Sequence, residues 1–235
     1  MQTTFDDYGD SGLLVTFAGP DRESRWSAAR ALQQLLRAQP AVVDVVAGFD
    51  SAFVTFDPLV LDHDQARALV RRLSGRTVPR GPVRELVVPV VYGGGRGPDL
   101  DDVAAGMGLD PAELVRRHTA TPWTVRLRGS PAASPMMDGL SWPGPVPRSA
   151  TPRVRLPAGS VGLSGQQCMV YAADSPGGWR LVGQTPARLF DLERDGLVAY
   201  APGDRFRFVA VPERDWERWA GPLERISDEL SGTSP

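Results

Sequence analysis

Gln167-Cys-Met-Val-Tyr-Ala-Ala-Asp-Ser-Pro-Gly-Gly-Trp-Arg-Leu-Val-Gly-Gln184 decides the class of the larger part of this chain. Two short apolar runs, 167–172 and 179–182, flank a Ser-Pro-Gly-Gly break, and both are too short for a helix. The texture continues outward on both sides. Further strand candidates fall at 123–127, 153–156, 197–200 and 205–211, with Gly and Pro between them. Helical periodicity nearly vanishes from 122 to 212, which predicts an all-β segment, a small barrel or sandwich.

Upstream, the texture is mixed. Leu13–Phe17 reads as a short buried strand. Asp21 is placed to cap a helix over 22–38, with Trp26, Ala29, Leu32, Leu35 and Leu36 at helical spacing and Pro40 after it. Val42–Val46 and Ala52–Phe56 form a hairpin about Gly48–Ser51, and Asp62 caps a second helix carrying Ala66, Leu69, Val70 and Leu73. With a strand at Glu85–Val91, the order is that of a ferredoxin-like α+β layer. Pro79–Pro82 reads as a linker. Two short helices follow, opened by Asp99 and by Asp110-Pro-Ala-Glu113, where a cap, a Pro and an acid stand in helix-start order. A closing helix is expected over 213–230, broken or kinked at Gly221-Pro222. The expected organisation is an α+β chain: an N-terminal domain over 1–80, a β-domain over 83–212, and a C-terminal helix and tail over 213–235.

Composition removes several functions. With 235 residues, 42% hydrophobic and 23% charged, the chain is globular. A net charge of −2 argues against bulk nucleic-acid binding. All 26 basic residues are Arg, so neither a Schiff-base lysine nor a phosphate-loop lysine is available. One Cys, Cys168, and two distant His, His63 and His118, cannot build a His/Cys zinc site, and no metal is expected on this chain. The absence of a leader-like start and of a run near 20 apolar residues points to a cytoplasmic protein that does not enter the membrane.

Chemistry-bearing candidates are few. Cys168 lies in an apolar strand and reads first as a small buried hydrophobe. Tyr92-Gly-Gly-Gly-Arg-Gly97 follows a strand and precedes a helix, where backbone N–H groups can meet an anion, but its spacing matches no standard phosphate loop. Window 115–160 holds seven Arg (116, 117, 126, 128, 148, 153, 155) against one acid, Asp138, a balance of 7 − 1 = +6. Such a face suits carboxylates, phosphates or an acidic partner. His118 ends a short helix and is the one His of the β-part, so it is the candidate acid/base there. Ser175-Pro-Gly-Gly-Trp179 combines close backbone approach with a rigid apolar wall.

Taken together, these strings are far more specific. Tyr8-Gly-Asp10, Pro89-Val-Val-Tyr-Gly-Gly94, Gly97-Pro-Asp-Leu100, His118, Thr151-Pro-Arg153 and Pro157-Ala-Gly-Ser-Val-Gly162 occur in order. Ser175-Pro-Gly-Gly-Trp179, Gly183-Gln-Thr-Pro186, Leu189-Phe-Asp191 and Pro202-Gly-Asp204 follow. Over about 8–211 the chain resembles the B-type subunits of bacterial ATP-dependent 5-oxoprolinases, a family also called allophanate hydrolase subunit 1 or carboxyltransferase domain C/D, which includes the sporulation kinase inhibitor KipI. The resemblance implies a cyclophilin-like β-barrel after the N-terminal domain. It implies ATP-driven opening of 5-oxoproline to glutamate, with ATP and magnesium used by the assembly and neither metal nor biotin bound by this chain. Its partners would be a barrel-like C-type subunit and an A-type subunit. His118 and Arg153 are the expected catalytic residues. Gln167 and Ser175, Pro176, Gly177, Gly178 and Trp179 would line the substrate pocket. Three places depart: family members carry an aromatic Pro-Gly loop where this chain has Gly129-Ser-Pro-Ala-Ala-Ser-Pro-Met-Met137, usually Gln-Thr-Gly where it has Gln167-Cys168-Met169, and often Arg where it has Gln184. An intact barrel with an altered pocket is therefore expected. The alternatives are a regulator of the KipI type or a divergent urea-carboxylase-like carboxyltransferase component.

Overall fold

The computed structural model describes residues 1–79, 81–139 and 141–232. Arg80 of the expected linker and 233–235 of the expected tail lie outside them. Two compact units emerge, Met1–Pro82 and Val83–Pro235.

The first unit runs β1 (Gln2–Tyr8), β2 (Gly12–Ala18), α1 (Arg22–Arg37), β3 (Val42–Ala47), β4 (Ser51–Phe56) and α2 (His63–Leu73). Its sheet is antiparallel throughout, in the order β1-β2-β4-β3. Leu13, Val15 and Phe17 of β2 and Ala52, Val54 and Phe56 of β4 alternate onto one buried face, where Ala29, Leu32 and Leu36 of α1 and Val70 of α2 meet them. Both helix starts are capped as the sequence predicts. The Asp21 carboxylate accepts from Ser24 N at 2.7 Å, and Asp62 and Gln65 close a reciprocal capping box. One assignment is corrected: the strand at Glu85 does not complete this sheet. Its fourth strand is β1, whose polar sequence hides it because it is an exposed edge with only Phe5 packed on the core.

The second unit begins with β5 (Glu85–Tyr92), α3 (Leu100–Gly106), α4 (Pro111–Ala120), β6 (Trp123–Gly129) and β7 (Ser134–Asp138). It continues through β8 (Arg153–Leu156), β9 (Ser160–Ser164), β10 (Gln167–Val170), β11 (Ser175–Gly177), β12 (Arg180–Gln184) and β13 (Ala187–Arg188). β14 (Arg205–Ala210), β15 (Gly221–Pro222) and α5 (Leu223–Ser231) complete it. Seven strands close a barrel in the order β10-β7-β6-β14-β5-β12-β9. Only the β14–β5 pair is parallel among these neighbours. Closure leaves no free edge.

Strand alternation sorts two cores. Cys168 and Val170 of β10 join the main core with Val88, Val90, Val125, Phe206 and Phe208. Met169 and Tyr171 point the other way and join Leu156, Trp179 and Leu181 in a smaller cluster. That cluster lies on the outer face of the wall, under the two-stranded β8–β11 ribbon. The strand expected at 197–200 is instead a loop held by one Phe190–Val198 bridge. The expected helix over 213–230 is two single 3-10 turns, Glu213–Asp215 and Glu217–Trp219, before the break at Gly221-Pro222 and α5. Among the described residues, no helix is long and apolar enough to cross a membrane.

Candidate functional site

One rim of the barrel gathers most of the chemistry. Register places the end of β5 at Tyr92 beside Gly183, the start of β12 at Arg180 beside Leu163, and the β9–β10 turn at Ser164 and Gln167. The segment 142–149, between β7 and β8, bonds to the β9–β10 turn and to the residues just before β12. Val146 and Gly165 exchange backbone hydrogen bonds at 2.9 and 2.7 Å, Trp142 N donates to Gln166 Oε1 at 2.6 Å, and Ser149 N donates to the Gly178 carbonyl at 2.8 Å.

Asp99 is the centre of charge at the rim. The sequence reads it as a helix cap, yet its side chain makes no capping bond. Instead the Arg153 fork donates to both carboxylate oxygens at 2.8 Å, and Leu181 N donates at 2.7 Å. Arg180 stands 3.6 Å away. Burial alone would push the Asp99 carboxyl up, but the Arg153 fork, the Leu181 N–H and the Arg180 charge together hold it below the ordinary carboxylate range. Two guanidinium groups against one carboxylate leave one positive charge at a half-open rim. Arg153 is thus committed to Asp99, and Arg180, absent from the sequence candidates, is the less engaged of the two. No local sequence signal marks it, because its partner is 81 positions upstream, 180 − 99 = 81.

The glycine loop seats against this cluster. Gly93 and Gly94 adopt left-handed backbones, at φ 70° and 53°. Gly93 N donates to the Val182 carbonyl, and the Gly93 carbonyl accepts from Arg96 and Gly97 N–H. A Cβ on Gly97 would stand 2.1 Å from the Val182 carbonyl oxygen, so only glycine fits. Arg96 lies over the Trp216 ring at 3.6 Å and donates to Gln184 Oε1 at 2.8 Å. The loop is therefore closed on itself rather than an open phosphate cradle.

His118 lies inside the wall. It is fully buried, with its ring 4.6 Å from Phe208 and 5.0 Å from Trp123 by centroids. The Tyr92 hydroxyl meets Nδ1 at 2.7 Å, and Cys168 Sγ lies 3.4 Å from Nε2. Burial lowers its pKa to about 3, so it is neutral, with one ring nitrogen accepting and the other donating. Burial likewise pushes the Cys168 thiol up. The reading of Cys168 as a small buried group holds, but its histidine partner is invisible at a separation of 50 residues. The ring of His118 meets no solvent, which argues for support of Tyr92 and α4 rather than proton exchange with a ligand.

The remaining candidates divide. Arg153 and Gln167 reach the rim. Ser175, Pro176 and Gly177 form β11 on the outer ribbon, Gly178 continues it, and Trp179 is buried in the outer cluster. His118 and Trp179 consequently lie on opposite sides of the barrel wall. Several recognisable strings are explained by packing alone. A Cβ at Gly159 would meet the Thr185 carbonyl oxygen at 2.2 Å, and one at Gly177 would meet the Tyr171 hydroxyl at 2.5 Å. The basic window is also largely neutralised: Arg116 and Arg117 bind Glu113, Arg126 binds Asp138, Arg153 binds Asp99 and Arg155 binds Asp174. Among the described residues, no group of three or more His, Cys, Asp or Glu could hold a metal ion.

A closed barrel carrying an outer ribbon, with a charged rim built on a glycine loop, defines the class. The chain belongs to the carboxyltransferase domain, subdomain C and D family, whose model matches residues 3–199. It is 38% identical over 206 residues to a protein named as the B subunit of 5-oxoprolinase from Escherichia coli O157:H7, spanning 87% of this chain and 94% of that one. It is similar to the solved structure of TTHA0988, with 29% identity and a TM-score of 0.72 over 86% of this chain and 40% of that one. The chain thus spans well under half of that structure. The K. lactis urea amidolyase shares the fold, with a TM-score of 0.76 and 18% identity over 98% of this chain and 16% of that one.

Proposed function

We propose that this chain is the B-type subunit of a 5-oxoprolinase assembly, which adds water across the ring amide of 5-oxo-L-proline to give L-glutamate, driven by ATP. The carrying observation is 38% identity across 94% of a protein bearing that name, and two further relatives bear the same name. These names favour an enzyme component over the KipI-type regulator. ATP is a substrate of the assembly; no residue of this chain is assigned to it or to magnesium or biotin, and no step is routed through them. A barrel-like C-type subunit and an A-type subunit are the partners, in the cytoplasm. We read the first unit as a ferredoxin-like layer whose last strand is replaced by β1, and the second as a cyclophilin-like barrel.

In this reading the rim holds the substrate's carboxylate. Arg180 and the outer edge of Arg153 supply the positive charge, and Asp99 fixes both guanidinium groups in place. Gln167 stands on the same rim and offers an amide to the ring carbonyl or nitrogen. Tyr92 and His118 stiffen the barrel end beneath it. Ser175–Trp179 act by pinning the ribbon that carries Arg153. The test is reconstitution with the partner subunits and measurement of 5-oxoproline-dependent ATP hydrolysis and glutamate release. Arg180→Ala is expected to raise KM about tenfold or more while the assembly stays intact, from loss of one charge-assisted contact. A fully assembled complex without turnover overturns the activity. Turnover unaffected by Arg180→Ala and Gln167→Ala moves the site off this rim.

A further inference from the structure

The first unit contains a cavity that the barrel chemistry does not use. It measures about 250 Å³ and lies between α1 and the chain leaving α2. Phe17, Leu32 and Leu73, all nearly fully buried, give it an apolar base. Ala28 and Ala31 line its helical side, where larger residues would fill it. Ser74–Val78 form the other side, turned at Gly75 with φ 81°. Among the described residues, Arg76 is the one charged residue of the lining, and no acid lines the cavity. Among the described residues, the Arg76 side chain makes no ion pair and no hydrogen bond, unlike Arg67, which two carboxylates hold on the same helix-and-turn segment. A pocket with an apolar base and one arginine in its lining suits an apolar body bearing one carboxylate. At about 30 Å³ per water, the volume holds roughly eight water-sized groups, near the bulk of benzoate.

We propose that this cavity is a binding site for a small monocarboxylate with an apolar body, its carboxylate on Arg76 and its body against Phe17, Leu32 and Leu73. The cavity is lined by residues of the first unit and the proposal does not rest on the 5-oxoprolinase reading. Acetate is too small to use the base, and glutamate carries two further charges that the lining does not match.

The test is an amide-detected NMR titration of the full-length chain with benzoate, with benzamide and acetate as comparison probes. The expected result is saturable shifts at residues 28–32 and 73–78 with benzoate, and affinity at least about tenfold weaker for benzamide and for Arg76→Gln. Arg76 is exposed, so its replacement leaves the fold intact. Ala31→Phe, which fills the cavity from α1, is expected to abolish the shifts. Benzamide binding as tightly as benzoate, shifts surviving Ala31→Phe in a folded variant, or no saturable shift with benzoate would each overturn the proposal. None of these readouts uses turnover, so failure of the 5-oxoprolinase assignment leaves this result standing, and the reverse.

Discussion

His118 shows how far one side chain's environment overrides its residue type. A histidine at the end of a helix in a polar stretch invites an acid/base role, but folding places its ring among Tyr92, Trp123, Phe208 and Cys168. The pH consequence follows from linkage. The unfolded chain binds a proton as pH falls below 6.5, while the folded chain does so only near 3. This contribution is therefore full above pH 6.5 and lost progressively down to about 3, at about 1.4 kcal/mol per pH unit. Denaturant titrations across that window should show His118→Phe losing stability less steeply than the parent. At pH 7 the same variant is expected to be about 1–3 kcal/mol less stable, since the Tyr92 hydroxyl is left without its partner. Asp99 behaves as a lowered carboxylate: its stabilisation is present above the ordinary value of 3.8 and fades as pH falls through its lower folded value. Asp99→Asn should remove that acid-limb dependence and should destabilise the chain at neutral pH, because two guanidinium groups lose their shared counter-charge.

At the scale of elements, glycines separate packing from function. Gly97 has a carbonyl where its Cβ would stand, whereas a Cβ on Gly95 meets nothing within 4 Å. Gly97→Ala is expected to cost about 3 kcal/mol by forcing the loop off β12, read by urea unfolding. Gly95→Ala should change stability by less than about 0.5 kcal/mol. If the proposed rim site uses this loop's backbone, Gly95→Ala should raise KM for 5-oxoproline without lowering the midpoint of unfolding. The loop at 129–137 makes the same point from the opposite side. Its aromatic residues are absent, yet β6 and β7 still pair from Thr124–Asp138 to Gly129–Ser134, and the Tyr200 hydroxyl donates to the Ala133 carbonyl at 2.9 Å. Backbone pairing carries the hairpin, so the sequence departure leaves the barrel whole.

For the whole molecule, the expectation is activity only in assembly. The chain alone should hydrolyse no ATP in response to 5-oxoproline, and adding the partner subunits should restore coupled glutamate release. Much of the fold was legible beforehand. Helix caps at Asp21, Asp62 and Asp110, alternation in β2 and β4, and dense turn residues after 122 marked both helices of the first unit, α4, and the strand-rich stretch that follows it. Local rules failed where local signal is weak. β1 is a polar edge, β9 has a glycine at its centre and is not among the strand candidates, and 213–219 satisfies helical spacing yet forms only 3-10 turns. Of the residues named for the site, Arg153 and Gln167 stand at one rim, while His118 and Trp179 belong to two different cores, a division that depends on partners far away in the chain.

The sequence by itself determined most element types and membership in the carboxyltransferase family, because these depend on residues close together in the chain or on strings kept in order. Tertiary structure alone decided which charges remain available. Asp99 meets Arg153 and Arg180, Cys168 meets His118, and Arg96 meets Trp216 only after the barrel closes. Charge, burial and hydrogen bonding act through space over a few ångströms, and the chain separation of these partners carries no record of that proximity.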